Sequence, residues 1–409
     1  MTTSNDGVKA RVWTRREMLY SSGIVTAGAL LAACGGGESN DAVATTTAST
    51  EPAPPGTEGA TAGSTTTAPA EPWRIKQLLT TPGPSFANAL HAVAEAQGFY
   101  RDNYVEVSTD YPGNSVKAIQ TMIAGSGTIA AADSFALLVA AGEDLDVVSI
   151  YNVFRGYPFG FAVRNDSPIM EWAEDTVRGT RIGVTDFAGG EVPVLRGALA
   201  RLGLAEGDGV EFVAIGYGGA ETAEAIESGA VDIFAGSVVD FEIFRAAGVD
   251  VRVITPDYIQ SFPGTVFATT PDLLVENSDG LGAFLRAQSQ ALVFLRANPE
   301  AAAEIAIAAA PASAEGVDVA FVAGFLEDLI VAGNEAAFDS TDPGYRLLGT
   351  QDSAAFDDYQ KFLIETGTAD DDGITLSREV DVAQYVDNSL VDVANDFDYD
   401  AIEALALTE

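Results

Sequence analysis

The chain has 409 residues, 60 acidic against 21 basic, for a formal net charge of −39, and 47% of it is apolar. That is enough apolar material for a sizeable core, while the charge disfavours non-specific binding to nucleic acid or, electrostatically, to anionic lipid. A solvated acidic surface suited to salty surroundings accounts for the charge itself.

Near the N-terminus, Arg15 and Arg16 precede an uncharged run from Ser21 to Ala33 that ends in small residues at Cys34, the one cysteine. The run is too short to span a bilayer as a helix, which takes roughly 20 apolar residues. A basic start, a short oily stretch and a small-residue end describe an export signal. Thr14 to Leu19 resembles the twin-arginine export motif. Leu31-Ala32-Ala33-Cys34 resembles the lipobox, where bacterial signal peptides are cut and the cysteine is lipidated. The expectation is a signal peptide over 1–34 with Cys34 as lipid anchor, and a mature chain without a free thiol. Disulfides, a cysteine nucleophile and a cysteine metal cluster are then excluded. Residues 35–72 are rich in Thr, Ala, Pro and Gly and bury too little to order themselves, so they read as a tether reaching about 30 to 35 Å.

From Trp73 about 335 residues remain, suited to two lobes by the usual size of domains. "RIKQLLT" reads as a strand. Pro84 and Ser85 then start a helix with Phe86, Leu90 and Val93 on one face and Gly98 as its stop. "NYVEVSTDY" is a second strand, "SVKAIQTMIAGSG" a helix, "TIAAA" a strand and "SFALLVAAG" a helix, before strands in "LDVVSIYNV" and "PFGFAVR". A second series follows, with strands "TRIGV", "VEFVAIG", "VDIFAG" and "VDVRVIT" separated by helices near 190–202, 219–228 and 239–247. Strands alternating with helices imply parallel sheets. After Gly264, "TVFATT" is one more strand, and the remainder is Ala-rich helix. His91, the one histidine, sits mid-helix as a packed or surface residue, which rules out a His/Cys metal cluster or histidine-ligated haem. The run Asp370-Asp371-Asp372 lacks the spaced ligands and closing glutamate of an EF-hand loop. No metal or cofactor is expected.

The order of parts resembles the solute-binding proteins of bacterial ABC importers, in the group handling nitrate, sulfonates, taurine and thiamine-pyrimidine precursors. Gly98-Phe99-Tyr100 closing a helix, the turn Gly113-Asn114-Ser115 and "AADSFALL" match the first lobe. "RGTRIGVTDFAGGEVPVLRGALARLGL" and "AIESGAVDIFAG" match the second. The likeness covers about residues 73 to 310, and the family tryptophan near the interlobe turn is replaced by Asp240-Phe241. It implies an α/β fold of two lobes, the type II periplasmic-binding-protein or Venus flytrap arrangement. Lobe I would be 73–163 plus 264–409, lobe II 164–263, with hinge strands "FGFAVR" (159–164) and "TVFATT" and extra C-terminal helices. It also implies a monomeric, non-enzymatic receptor, held by lipid outside the cytoplasmic membrane, that hands a small solute to a permease with ATPase subunits. An enzyme of the same fold converting a pyrimidine precursor, and a transporter-free sensing receptor, are the alternatives.

Ligands of open α/β sheets sit beyond the carboxyl ends of the strands, so the candidate pocket lies in those loops. From lobe I they offer Ser85, Phe86, Asn114, Ser115, Asp133, Ser134, Tyr151 and Arg155. From lobe II they offer Gly189, Gly190, Glu191, Tyr217 and Asp240. Each has a plainer reading: Ser85, Ser115 and Asp133 as helix N-caps, the glycines as turn residues, Tyr151, Tyr157 and Tyr217 as core or rim aromatics, the acids as surface charge. In the pocket, Tyr151 and Tyr217, at strand ends, would stack on a planar solute, Glu191 and Asp240 would take an amine or ring N–H donor, and Arg155 would pair an anion. Stacking faces and carboxylates outnumber positive groups, which favours a pyrimidine-like or amine-bearing solute over a nitrate or sulfonate.

Overall fold

A computed structural model describes residues 71–409 except 82, 188, 217–219, 315–316, 340–346, 368–374 and 377. The signal peptide, Cys34, nearly all of the tether, Tyr217 and the Asp370 run lie outside the described residues. Among those described, no helix is long and apolar enough to cross a membrane.

Two sheets organise the chain. The first runs β2 (Val105–Asp110), β1 (Trp73–Leu78), β3 (Ile129–Asp133), β11 (Thr265–Thr269), β4 (Val148–Asn152). β1 is parallel to β2 and β3, and β11 lies antiparallel between β3 and β4. The second runs β10 (Val251–Val253), β5 (Phe159–Arg164), β9 (Ile233–Ser237), β6 (Arg181–Val184), β8 (Gly209–Ala214), β7 (Ala205–Glu206). The two expected βαβ series therefore form the two sheets.

The hinge differs from expectation. β5 pairs antiparallel with β9 and with β10, so 159–164 belongs wholly to the second sheet and the outward crossing is 153–158. The return crossing is 254–264, ahead of β11, which is itself a central strand of the first sheet. The sequence marks β5 as a buried strand but carries no sign of which sheet its backbone pairs with.

Each face of the first sheet has its own core. One face, with Ile75, Ile150, Tyr151 and Phe267, packs on helix Ser278–Ala297, whose Phe284, Leu285, Leu292 and Phe294 are buried. The other, with Leu78, Ala130 and Ala132, packs on helices Ser115–Thr121 and Ser134–Gly142. This second core is continuous with that of the second sheet, through Phe161, Ile182, Val184 and helix Val192–Arg201, and it takes in Phe356, Tyr359, Phe362 and Leu363 of helix Ser353–Thr366. The C-terminal helices thus do not all stay with the first lobe.

Helix starts follow side-chain capping, in which an oxygen takes an otherwise orphaned backbone N–H. Ser85 caps the short turn Phe86–Asn88 by accepting from the Ala87 N–H at 3.2 Å. Asp133 caps Ser134–Gly142 through the Ala136 N–H at 2.8 Å. For Ser115–Thr121 the cap is Asn114, accepting from the Lys117 N–H at 2.9 Å, and Ser115 is instead buried.

Candidate functional site

The ends of β3 and β6 bring a carboxylate from each lobe toward the outward crossing, where Tyr157 stands. At the end of β3, the Asp133 N–H donates to Ser115 Oγ at 3.0 Å while its carboxylate caps the next helix. Burial raises the Asp133 pKa, against hydrogen bonds that favour the ionised form.

In the second lobe the turn after β6 is built around Glu191. Its Oε1 accepts from the Thr185 N–H at 2.8 Å and the Thr185 Oγ1 at 2.5 Å, and the side chain is almost wholly buried. Desolvation pushes this carboxyl up as well. Side chains close tightly over the glycine pair. A Cβ on Gly189 would fall 2.4 Å from Glu191 Oε2, and one on Gly190 would fall 2.8 Å from the Phe159 ring.

Tyr157 links the two halves. Its hydroxyl donates to the Gly190 carbonyl at 3.2 Å and lies 3.2 Å from the Tyr359 hydroxyl. Its ring meets Phe159, Phe262 and Tyr359 edge-on, with centroids 5.5 to 6.1 Å apart. Burial raises the Tyr157 pKa, Tyr359 adds to the rise, and the charges of Asp133 and Glu191 raise it further from opposite lobes. The two phenols thus share a buried aromatic setting, where a hydrogen bond acts strongly.

The other candidates fall into three groups. Ser85 and Phe86 stand at the rim of the first lobe: the Phe86 N–H donates to Ser313 Oγ at 2.9 Å and its ring meets Phe325 edge-on at 5.2 Å. Asp240 is buried at the start of helix Val238–Ala246 and accepts from the Ser237 N–H at 3.2 Å. Ser134, Tyr151 and Arg155 have structural partners. Ser134 Oγ donates to the Pro263 carbonyl at 2.5 Å and so ties the return crossing to the first lobe. Arg155 donates to the Leu347 carbonyl at 3.5 Å.

Tyr151 is a correction. It lies in the core between the first sheet and helix Ser278–Ala297, 1% exposed, with its hydroxyl 2.9 Å from Ser289 Oγ. An irregularity in the pairing of β4 with β11 leaves both Ile150 and Tyr151 on the face that packs on this helix, away from the core shared with the second sheet.

Tyr157, Phe159, Phe262 and Tyr359 are absent from the sequence-derived set. Phe159 was legible as an aromatic beside Tyr157 at a strand start. Tyr359 reads only as part of a helical stripe with Phe356 and Phe362, a pattern that marks burial without naming the partner. Among the described residues no group of His, Cys, Asp or Glu could hold a metal ion.

Two α/β sheets joined by two crossings define a two-lobed protein of the periplasmic-binding type. The family model described as NMT1/THI5 like matches residues 86–302, more than half of the chain, and the chain belongs to that family. It is 24% identical over 227 residues to the riboflavin-binding protein RibY of Chloroflexus aurantiacus, covering 55% of this chain and 63% of RibY, less than two thirds of that relative. It is 25% identical over 227 residues to the formylaminopyrimidine-binding protein of Halalkalibacterium halodurans, covering 54% of this chain and 67% of the relative. Among solved structures it is similar to the periplasmic aliphatic sulphonate binding protein SsuA of Escherichia coli, with a TM-score of 0.51, 16% identity and coverage of 63% of this chain and 80% of that one. It is similar also to a mutant of the desulfurization enzyme DszB bound to biphenyl-2-sulfinic acid, with a TM-score of 0.52, 17% identity and coverage of 78% and 98%. These structural likenesses concern the fold alone.

Proposed function

We propose that this protein is the solute-binding component of an ABC importer, capturing a small ring-bearing solute between its lobes and presenting it to a permease with ATPase subunits. The observation that carries the reading is the meeting of the lobes at Tyr157, whose hydroxyl holds the Gly190 carbonyl next to Glu191 and whose ring stands against Phe159 and Phe262. Aromatic faces suit a planar ring, and carboxylates suit its N–H or amino donors. The two relatives named for riboflavin and formylaminopyrimidine support a ring-bearing solute.

Binding without turnover fits the same residues. Residues 35–409 contain no cysteine, and His91 packs against Tyr100 in the first lobe with its Nδ1 3.0 Å from the phenol oxygen. Lipidation at Cys34 would leave the folded body on a tether outside the cytoplasmic membrane. Residues 73–158 with 265–339 and 378–409 form lobe I in this reading, and 159–253 form lobe II.

The test is a melting-shift and calorimetry panel of riboflavin, formylaminopyrimidine, other aminopyrimidines, taurine, alkanesulfonates and nitrate. A solute that binds only the folded state at 100 times its Kd stabilises it by about 2.7 kcal/mol. A shift with a ring-bearing member is expected. A shift with sulfonate or nitrate alone overturns the solute class, and turnover of any member overturns the receptor reading. Labelled palmitate should join the wild-type chain in its host and not the Cys34→Ala variant.

A further inference from the structure

Helix Ser353–Thr366 lies outside the family-matched residues 86–302. The chain on either side of it is fastened to the first lobe. Before it, the Asn152 N–H of β4 donates to the Gly349 carbonyl at 2.8 Å, and buried Gln351 donates from Nε2 to the carbonyls of Ser149 and Asp387, each at 3.1 Å. After it, Arg378 Nε donates to the Gly142 carbonyl at 2.8 Å. The Ser149 N–H then donates to the Tyr385 carbonyl, and the Asp387 N–H to the Ser149 carbonyl, both at 2.8 Å. These last bonds add a bridge to the edge of the first sheet.

The helix itself packs on the second lobe. Phe362 lies directly on Gly197 of helix Val192–Arg201, where a Cβ would fall 2.4 Å from its ring. The Arg201 guanidinium sits 4.7 Å from the Phe362 ring centroid and 4.4 Å from that of Tyr258, and pairs with Glu365 at 3.3 Å. One turn inward, Tyr359 is fully buried between the two crossings, 3.2 Å from the Tyr157 hydroxyl and stacked on Phe262 with centroids 4.6 Å apart. Gln360 binds the helix back to the first-lobe side, exchanging two hydrogen bonds with the Val380 backbone at 3.1 and 2.9 Å.

We propose that this helix is a built-in strap: fastened to the first lobe at both flanks and seated on the second, it holds the lobes at their present separation, and the crevice opens only as Phe362 and Tyr359 leave Gly197 and Tyr157. Two crossings alone leave a hinge free to rotate. A packed third connection makes that rotation break a buried interface, which is bistable where a free hinge is continuous. The strap is made by packing within the chain, whichever solute the crevice takes.

The test needs no ligand. In the full chain carrying Cys34→Ser, no native thiol remains, so spin labels at exposed Lys117→Cys and Glu224→Cys report the distance between the lobes. The parent should give one narrow distance distribution. Phe362→Ala should shift and broaden it toward longer distances, and Arg201→Ala, which leaves the core intact, should do so to a smaller degree. Circular dichroism identifies variants that remain folded. Should Phe362→Ala fail to fold, Arg201→Ala decides the matter. A folded variant whose distribution superimposes on that of the parent overturns the strap.

Discussion

The Tyr157 hydroxyl donates to the Gly190 carbonyl at 3.2 Å, so a residue of the outward crossing holds the turn that opens a helix of the second lobe. The same oxygen lies 3.2 Å from that of Tyr359. Tyr359 is fully buried and Gly190 half-buried, and removing one half of a buried hydrogen bond costs about 1–3 kcal/mol. Tyr157→Phe is therefore expected to lower the denaturant midpoint without changing the slope, and to weaken binding of whichever solute the panel identifies. An unchanged midpoint together with unchanged affinity would show that these bonds are not made.

Tyr151 provides the contrast. Its hydroxyl is partnered with Ser289 in a core that faces away from the second lobe. Tyr151→Phe should lose about 1 kcal/mol or somewhat more, since Ser289 is left buried, and should keep solute affinity intact. Calorimetry on the two Tyr→Phe variants side by side checks the placement of the site. A loss of affinity in Tyr151→Phe equal to that in Tyr157→Phe would refute it.

Glu191 sets a pH dependence. Burial raises its pKa above the unfolded value, so the stability it contributes is fully present at acid pH and is lost as pH rises through the folded pKa. Glu191→Gln keeps an oxygen for the Thr185 N–H and removes the cost of a buried charge. The variant should gain melting temperature relative to the parent as pH is raised from about 4 to about 7. A gap that stays flat across thermal melts in that range would contradict a strained carboxyl.

His91 works in the opposite direction. Burial lowers its pKa from 6.5 to about 4, so below 6.5 the unfolded chain binds a proton that the folded chain refuses. This side chain therefore withdraws stability as pH falls from 6.5 toward 4. As the one histidine of the chain, it gives a single imidazole signal by NMR, expected to titrate with a midpoint of about 4. A midpoint near 6.5 would mean that the Tyr100 contact and its burial are absent in solution.

The sequence by itself determined the two-lobed class, because two series of alternating strand and helix runs specify two sheets, though each carries one strand, β11 or β5, that runs against its neighbours. It also determined several local devices. Ser85 and Asp133 cap helices because their side-chain oxygens reach an N–H two or three residues on, a strictly local interaction. Only the tertiary structure decided that β5 belongs to the second sheet, that Tyr157 and not Tyr151 faces the other lobe, and that Tyr359 comes between them from more than 200 residues away. Periodicity states that a face is buried and leaves open what buries it. The Tyr157 and Tyr359 hydroxyls meet through long-range packing, whose partners are fixed only when both sheets and the C-terminal helix have closed on one another.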